Sequence, residues 1–479
     1  MSQEHGRDVL GLADQVVDLV RRLAGPRAEA EVVVTRSALA LTRFANSFVH
    51  QNVAESGVSV RLRVHTGGRT AAGGGSVVTP EGLAALVERA LAAARLCPPD
   101  PAWPGLAPRS PVPAAPAWDE ATAFAEPGER AERVRAFVDA VGGLEAAGYC
   151  RTAHREAAFA NSTGHSARGS AAEAAMDGIA RSGGADGVAR LHAGRLADLD
   201  GAALGARAAA KARAAVAPVE LPPGRYEVVL EPAAVADLLH NLALWGFNGK
   251  RHAERQSFAE PGAAQFDPAV TLVDDPLAGS GLPFDFEGTG RRALTLVDAG
   301  TTVAVAHDRR SGAAAGVGST GHASPEAATF GPTPVNLRLS GPAPANTDDP
   351  ARAGAGGGAG SGAPASAGPV ADGDTAALVA GMERGLLVSD LWYTRVLDTK
   401  SLVITGLTRN GVWLVEGGVP VRAVRDLRFT ESYPRALGPG AVVGIGRRAV
   451  RQPDRVDGVW WDAPALRLAA WNFTGGASG

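Results

Sequence analysis

The chain has 479 residues and a formal net charge of −3, with 20% charged and 45% hydrophobic residues. One hydrophobic core rarely extends over this length, so we expect a globular chain of two or more domains. The nearly balanced charge argues against binding to nucleic acid or to an anionic membrane surface. No apolar run reaches the roughly 18 residues that a transmembrane helix needs, and residues 1–8 lack a secretory core. Two isolated cysteines imply no disulfide framework, so we expect a cytoplasmic protein.

The first 110 residues combine helical and extended patterns. Residues 8–24 carry apolar side chains near the helical period of 3.6. Thr79-Pro80 marks the start of a second amphipathic helix, with a threonine cap and a proline at the first helical position. Segments typical of strands lie between the two helices, at residues 31–35, 38–44, 58–65 and 69–73. We therefore predict an N-terminal domain over residues 1–110, with a mixed sheet and covering helices, followed by a Pro- and Ala-rich linker near residues 97–118.

Residues 111–223 form a central α/β segment in this interpretation. A helical pattern covers residues 127–147, and two extended segments follow at residues 151–160 and 164–176. An Ala-rich helix is then predicted over residues 200–216, with Asp200 as its N-cap.

From residue 224 the sequence becomes richer in strands, and we assign residues 224–479 to a β-rich C-terminal domain. Asp298-Ala299-Gly300 predicts a hairpin. Three later apolar segments are separated by Asn410-Gly411 and Gly417-Gly418, so we predict an antiparallel meander with a hairpin turn at Asn410-Gly411. Residues 341–374 have low complexity and almost no bulky apolar side chains, which predicts a disordered Gly/Ala-rich insertion. The fold class is therefore α/β (α+β).

The segment Glu231–Phe247 has the pattern of a strand end followed by a helix. It resembles the segment that carries the metal motif in the TldD/PmbA family, where the helix of catalytic members reads His-Glu-x-x-x-His. Further blocks resemble this family in the same order, over nearly the whole chain except the insertion. They are Arg43–Ser47, Phe284–Thr289, His307–Arg309, Gly318–Ala323, Arg384–Val388, Leu407–Gly411, Pro464–Arg467 and Thr474–Gly476.

The resemblance implies a metallopeptidase site in which two histidines hold the metal and the glutamate activates its bound water. At the matching positions this chain has His240, Asn241 and Trp245. An asparagine amide cannot act as a general base, and an indole N–H has no lone pair for a metal. The third ligand in catalytic members is a cysteine near the C-terminus, and this chain has no cysteine after Cys150. Because catalytic zinc sites use three protein ligands, we predict neither a catalytic residue nor a metal in this chain, and expect zinc in a catalytic partner chain.

The spacing of the motif also predicts a local distortion. Residues five positions apart lie about 140° apart on an ideal α-helix. Ligands at the positions of His240 and Trp245 would therefore need the helix to loosen or end there, and Gly246 falls where such an ending is expected. The apolar stripe of the predicted helix is Val235, Leu238, Leu239 and Leu242, and His240 lies off it. Outside the motif, His240 also fits an ordinary half-buried histidine, and Trp245 fits a packing residue.

Two other features have alternative interpretations. Asp285 and Glu287 are candidates for binding a peptide, although carboxylates in a Gly-flanked loop more often cap the backbone. The glycine-rich segment Gly316–Gly321 lacks the lysine of a phosphate-binding loop and a surrounding βαβ unit, so we discount nucleotide binding.

Three hypotheses for the function stay open. The family pattern implies the metal-free partner subunit of a heterodimeric cytosolic peptidase, in which a catalytic TldD-type subunit completes a cavity for unfolded peptides held by strand addition. The second hypothesis is an active metallopeptidase that uses His252, His307 and His322 as ligands. The third is a non-enzymatic peptide-binding or assembly protein. None of the three includes nucleic acid or a membrane.

Overall fold

The computed structural model describes residues 8–325, 327–342, 369–370, 373–454, 456 and 458–476. Most of the insertion predicted at residues 341–374 lies outside the described residues. Helices and strands are both abundant in the described part, which confirms the α/β class. No helix in this part of the chain is long and apolar enough to cross a membrane.

A six-stranded sheet occupies the first part of the chain. Its strands are β1 (Glu29–Ala45), β2 (Phe48–Thr66), β3 (Arg69–Gly75), β4 (Glu145–Asn161), β5 (Ser166–Ser182) and β6 (Ala185–Ala193). The strand order is β3-β2-β1-β4-β5-β6, and every neighbouring pair is antiparallel. The sheet that we predicted to be mixed is therefore antiparallel. The segments predicted at residues 31–35 and 38–44 form the single strand β1. Strands from both sides of residue 110 share this sheet, and the predicted division into domains stays a prediction.

Helices cover one face of this sheet. They are α1 (Val9–Ala24), α2 (Pro80–Leu96), α3 (Glu120–Ala123), α4 (Pro127–Ala140) and α5 (Gly201–Ala214). Helices α2 and α5 begin at their predicted caps, Thr79 and Asp200, and α1 begins at an equivalent side-chain cap, Asp8. On β1, Val32 and Val34 pack in the core under α1 and α2, whereas Val33 packs on the opposite face. The period of two in a strand therefore leaves one face of the sheet for the C-terminal part.

Two further sheets form the C-terminal part. Their strands are β7 (Gly224–Leu230), β8 (Thr271–Asp274), β9 (Leu294–Asp298), β10 (Thr301–Thr302), β11 (Leu337–Ser340), β12 (Arg384–Asp398), β13 (Val403–Glu416), β14 (Val419–Ala423), β15 (Leu427–Ser432), β16 (Val442–Ile445), β17 (Val450–Pro453), β18 (Trp460–Ala463) and β19 (Leu466–Gly476). One sheet has the order β10-β9-β8-β11-β18-β17. The other has the order β12-β7-β19-β15-β13-β14, and it closes on itself because β12 also pairs with β13. The hairpins predicted at Asp298–Gly300 and Gly417-Gly418 are confirmed.

The hairpin turn predicted at Asn410-Gly411 is wrong. Both residues lie inside β13, opposite a register shift in β12, with φ of +59° and +123°. The Asn410 side chain donates to Oδ2 of Asp390 at 2.9 Å, and a Cβ at Gly411 would overlap the Trp413 ring. The dipeptide therefore forms a β-bulge, which uses the same positive φ angles as a tight turn.

The motif helix is α6 (Pro232–Asn241), which begins with a proline at its first position. The other helices of the C-terminal part are α7 (Gly249–Ala253), α8 (Arg309–Ala314), α9 (Ala327–Phe330), α10 (Gly373–Ala380) and α11 (Tyr433–Ala436). Val235, Leu238, Leu239 and Leu242 are each at most 1% exposed, which confirms the predicted apolar stripe. This stripe anchors the helix in the main C-terminal core.

The chain loosens immediately after α6. Residues Leu242–Gly246 form a π turn, in which the amide of Phe247 donates to the carbonyl of Leu242 at 2.8 Å. A π turn widens the helix by one residue and brings positions five apart toward the same side. The structure therefore contains the distortion that the spacing of the motif predicts.

The loop of residues 282–291, here called the 282–291 loop, joins the two parts of the molecule. Phe284 packs with Val33 and Phe159 on the free face of the N-terminal sheet. Gly288 has φ of +75°, and a Cβ there would overlap the Phe159 ring. His165 Nε2 lies 2.8 Å from the Gly288 carbonyl oxygen. Glycine is thus required where the loop crosses the sheet.

Candidate functional site

A cavity of about 510 Å³ lies between the free face of the N-terminal sheet and the C-terminal part. Its apolar walls include Leu244, Leu282, Phe284, Phe286, Phe330 and Trp461. Its charged lining comes from Arg61, Arg155, Arg291, Asp285 and Asp454. A volume of this size and a mostly apolar wall with a few polar groups are typical of ligand sites.

His240 is the one motif position that lines this cavity. Its Nδ1 lies 3.1 Å from Oδ2 of Asp454, and the same oxygen accepts the indole N–H of Trp461 at 3.0 Å. Burial raises the pKa of the Asp454 carboxyl, but the hydrogen bond and charge interaction with His240 outweigh burial and lower it. The side chain of His240 is therefore held by a carboxylate and an aromatic ring.

Asn241, at the position of the general base, belongs to a separate hydrogen-bonded cluster. Its Nδ2 donates to the carbonyl oxygen of Asp237 at 2.9 Å and to Oδ1 of Asp237 at 3.1 Å. Thr394 and Tyr433 donate to the same carboxylate, at 2.8 Å and 3.0 Å. Burial raises the pKa of Asp237 above its usual range. Asn241 is thus satisfied within the chain and does not line the cavity.

Trp245, at the position of the second histidine, packs against the C-terminal core. The guanidinium carbon of Arg251 lies 4.8 Å from the centroid of its ring. This contact is a cation–π pair. The indole therefore has a packing role at the π turn, as the sequence-based interpretation predicts.

The three histidines of the alternative ligand set each contact a different group of the protein. His252 Nδ1 lies 3.0 Å from the Ala259 carbonyl oxygen, and His307 Nδ1 lies 3.1 Å from Ser311 Oγ. His322 Nε2 lies 2.9 Å from Asp274 Oδ2. Burial lowers the pKa of His307. Within the described ranges, no group of three or more His, Cys, Asp or Glu side chains is placed to share a metal ion.

Asp285 caps the backbone of the 282–291 loop. Its Oδ1 accepts the amides of Glu287 and Thr289, each at 2.9 Å, and its Oδ2 accepts the amide of Ala323 at 2.9 Å. Burial, together with repulsion from Glu287, raises the pKa of Asp285 to about 6. This arrangement agrees with the capping interpretation, because each oxygen already has an amide donor.

Glu287 binds an arginine of the N-terminal sheet. Arg63 Nη2 lies 2.7 Å from Glu287 Oε1 and 2.5 Å from Glu31 Oε1. The amide of Arg309 donates to the other Glu287 oxygen at 2.8 Å. Burial raises the pKa of Glu31 to about 8, even though Arg63 lowers it. This cluster of Glu31, Arg63 and Glu287 fixes the 282–291 loop to β1 and β2.

Sequence reasoning did not find Asp454 or the cavity arginines. Asp454 is separated from His240 by 214 positions, so no local spacing links them. Arg291 has a weak signal, since it follows the Phe284–Thr289 block by two residues. Arg61 and Arg155 resemble any other arginine on a strand of alternating polarity.

The sheet architecture and the motif helix together define a protein built like the metallopeptidase-related family that the sequence resembles. A family model described as the PmbA/TldA metallopeptidase C-terminal domain matches residues 223–475. This chain belongs to the PmbA/TldD family. No curated protein matches it.

Solved structures confirm the fold over the full length. TldE from Thermococcus kodakarensis aligns with a TM-score of 0.79 at 17% identity, over 97% of this chain and 100% of that chain. A candidate modulator of a DNA gyrase from Thermotoga maritima aligns with a TM-score of 0.77 at 17% identity, over 96% of this chain and 100% of that chain. A candidate modulator of DNA gyrase from Bacteroides thetaiotaomicron aligns with a TM-score of 0.77 at 16% identity, over 99% of each chain.

Proposed function

We propose that this chain is the metal-free partner subunit of a heterodimeric cytoplasmic peptidase that acts on unfolded peptides. A catalytic TldD-type subunit would hold the zinc. The observation that carries the proposal is the motif helix, whose apolar stripe and π turn are present while Asn241 and Trp245 occupy the positions of the base and a ligand. The similarity in fold to TldE from Thermococcus kodakarensis is consistent with a TldE-type role.

The side chains at the motif do not fit a catalytic zinc. Such a site needs three protein donors and an open position, and His240 is the one donor present at the motif. The amide of Asn241 is bonded to Asp237 and is 4% exposed. The ring of Trp245 is stacked with Arg251. We therefore assign no step of peptide hydrolysis to residues of this chain.

In this proposal the cavity contributes a wall for the substrate. Extended peptides have no hydrophobic core of their own, so an apolar concave surface with few polar groups suits their exposed side chains. The phenylalanines of the 282–291 loop provide that surface, and the cluster of Glu31, Arg63 and Glu287 holds the loop in place. With a net charge of −3, neither nucleic acid nor a membrane is part of the proposal.

The test compares three samples: this chain alone, a catalytic TldD-type chain from the same organism, and the two chains co-expressed. Metal content is measured by mass spectrometry, and cleavage of a chemically unfolded protein is followed with and without chelator. We expect zinc and chelator-sensitive cleavage in the co-expressed pair, and neither in this chain alone. The pair should co-purify on size-exclusion chromatography.

Stoichiometric zinc with chelator-sensitive cleavage in this chain alone would overturn the proposal and favour the histidine alternative. A stable homo-oligomer that does not associate with the catalytic chain would overturn it in favour of a non-enzymatic assembly protein. His307→Ala separates the histidine alternative from contamination, because it would remove a ligand of that alternative site and leave contaminating zinc unchanged.

A further inference from the structure

Arg291 is a cavity-lining arginine without a carboxylate partner. Among the residues that the structure describes, no acidic group lies within ion-pair distance of its guanidinium, and its Nε is buried without a hydrogen-bond partner. Its backbone amide donates to the Pro283 carbonyl oxygen at 2.9 Å, which closes the base of the 282–291 loop. The side chain therefore extends from an anchored backbone position.

The two aspartates whose charges act on Arg291, Asp285 and Asp274, make no ion pair with it. Asp285 accepts three backbone amides. Asp274 accepts the amides of Val335 and Asn336, at 2.9 Å and 2.7 Å, and pairs with His322. Burial lowers the pKa of Arg291, although both aspartates raise it. A guanidinium keeps its charge in proteins, so a partly buried positive charge remains for a ligand to balance.

The rest of the lining has a small positive balance. Three arginines and two aspartates give a formal charge of +1 when the histidines are neutral, since 3 − 2 = 1. Arg155 already lies 3.7 Å from Glu173, and Asp454 is bonded to His240. Arg61 donates to the Pro325 carbonyl oxygen at 3.3 Å and makes no ion pair with a described residue. The unbalanced charge of the cavity therefore lies at Arg291, with Arg61 as a second cation.

We propose that the cavity binds the C-terminal carboxylate of an extended peptide, with Arg291 as its principal partner and the apolar wall receiving the last side chain. A guanidinium binds a carboxylate through two parallel hydrogen bonds, which fixes its orientation. The terminal residue of a peptide presents a carboxylate and an apolar side chain from one Cα. In an internal Asp or Glu the carboxylate is part of the side chain, so the same Cα carries no apolar side chain. The inference rests on the proposed function only in taking a peptide as the ligand.

The test measures binding to the full chain alone, by fluorescence anisotropy, with three labelled unstructured peptides. The first ends in leucine as the free acid, the second is the same peptide as a carboxamide, and the third is a carboxamide with an internal glutamate. We expect the free acid to bind about tenfold or more tightly than the carboxamide, as a charged hydrogen-bonded pair implies. The third peptide should bind like the second.

Arg291→Gln should remove the preference for the free acid, and Arg291→Lys should retain part of it because the charge stays but the paired geometry is lost. Arg292→Gln is the matched control, since Arg292 is the adjacent arginine, is exposed and does not line the cavity. Thermal unfolding of each variant identifies a loss of fold. If Arg291→Gln does not fold, the Arg291→Lys variant decides by the size of its preference.

Equal binding of the free acid and the carboxamide to the unchanged protein would overturn the inference. So would a preference that survives Arg291→Gln, or an internal glutamate that restores tight binding. These results are separate from the metal and pairing tests. A metal-free chain that pairs with a catalytic subunit but ignores the terminal carboxylate leaves the proposed function standing. If the chain by itself binds zinc but prefers the free acid through Arg291, the proposed function is overturned and only this inference remains.

Discussion

The motif helix and the 282–291 loop lie on the same cavity, but they differ in how their polar groups are satisfied. On the helix, His240 is paired with Asp454, Asn241 with Asp237 and Trp245 with Arg251. On the loop, Asp285 accepts backbone amides and Glu287 binds Arg63. Arg291 has no carboxylate partner, and its Nε has no hydrogen-bond partner.

This difference separates packing from binding. The motif helix can be retained for packing alone, because its apolar stripe belongs to the main C-terminal core. A charge without a partner in a partly buried position lowers stability, which is the basis for the ligand proposed at Arg291. We therefore expect a packing role for the helix and a binding role for the loop.

The largest expected effect concerns the packing role of the helix. Leu239→Ala removes a side chain that is 1% exposed in the C-terminal core, and should lower the free energy of unfolding by about 2–5 kcal/mol. Chemical denaturation measures it. The control Leu96→Ala changes a leucine that is 88% exposed and should shift stability by about 0.5 kcal/mol or less. Equal effects of the two substitutions would contradict a structural role for the helix.

The next effect concerns the loop. Gly288→Ala introduces a Cβ that overlaps the Phe159 ring at a backbone with φ of +75°, and should cost about 2–4 kcal/mol from strain and overpacking together. It should also weaken peptide binding, because the loop carries Arg291. Gly67→Ala is the control, with φ of +57° and open space around the new methyl group.

That control isolates the cost of the left-handed backbone, which should be about 1 kcal/mol. If Gly288→Ala is no more destabilising than Gly67→Ala, and binds peptide normally, the loop does not depend on its close approach to the sheet. Thermal unfolding and the anisotropy assay give both readouts from one protein preparation.

A third effect is the pH dependence of the junction between loop and sheet. Burial raises the pKa of Glu31 from its usual 4.5 to about 8, so the folded state binds more protons than the unfolded state between these values. The contribution of Glu31 to stability is therefore full below about pH 4.5 and falls as pH rises toward about 8. Glu31→Gln should reduce this downward slope by up to about 1.4 kcal/mol per pH unit.

The measurement is the free energy of unfolding at several pH values across this window. Glu55→Gln is the matched control, because Glu55 is exposed on the neighbouring strand β2 and should leave the slope unchanged. A Glu31→Gln variant with the slope of the unchanged protein would show that the cluster with Arg63 does not hold a proton in this range.

The smallest expected effect is on metal binding. The double substitution Asn241→Glu, Trp245→His restores the His-Glu-x-x-x-His sequence of the motif. It should not give a stoichiometric zinc site, because the third ligand of catalytic members is still lacking. Metal analysis after dialysis provides the measurement, with Leu96→Ala as a neutral reference. Stoichiometric zinc would mean that the cavity supplies a further donor, and would remove the contrast between helix and loop.

The sequence predicted the α/β class, the apolar stripe of α6 and the looseness at the end of that helix. It misplaced Asn410-Gly411, because positive φ angles serve a bulge and a hairpin turn equally well. It also predicted a mixed N-terminal sheet, whereas the sheet is antiparallel. Local sequence does not determine this, because the pairing direction of β1 with β4 depends on contacts between residues more than one hundred positions apart.

By itself, the sequence determined that the motif lacks a base and a second ligand, because residue type alone decides whether a side chain can accept a proton or donate a lone pair. It also determined the family resemblance, which the matching family model confirms. Only the tertiary structure decided which polar groups are satisfied. Asp454 reaches His240 across 214 positions, and Arg291 remains without a carboxylate because the aspartates near it are bonded to backbone amides. Hydrogen bonds are short-ranged and directional, so these pairings depend on the folded geometry and not on local spacing.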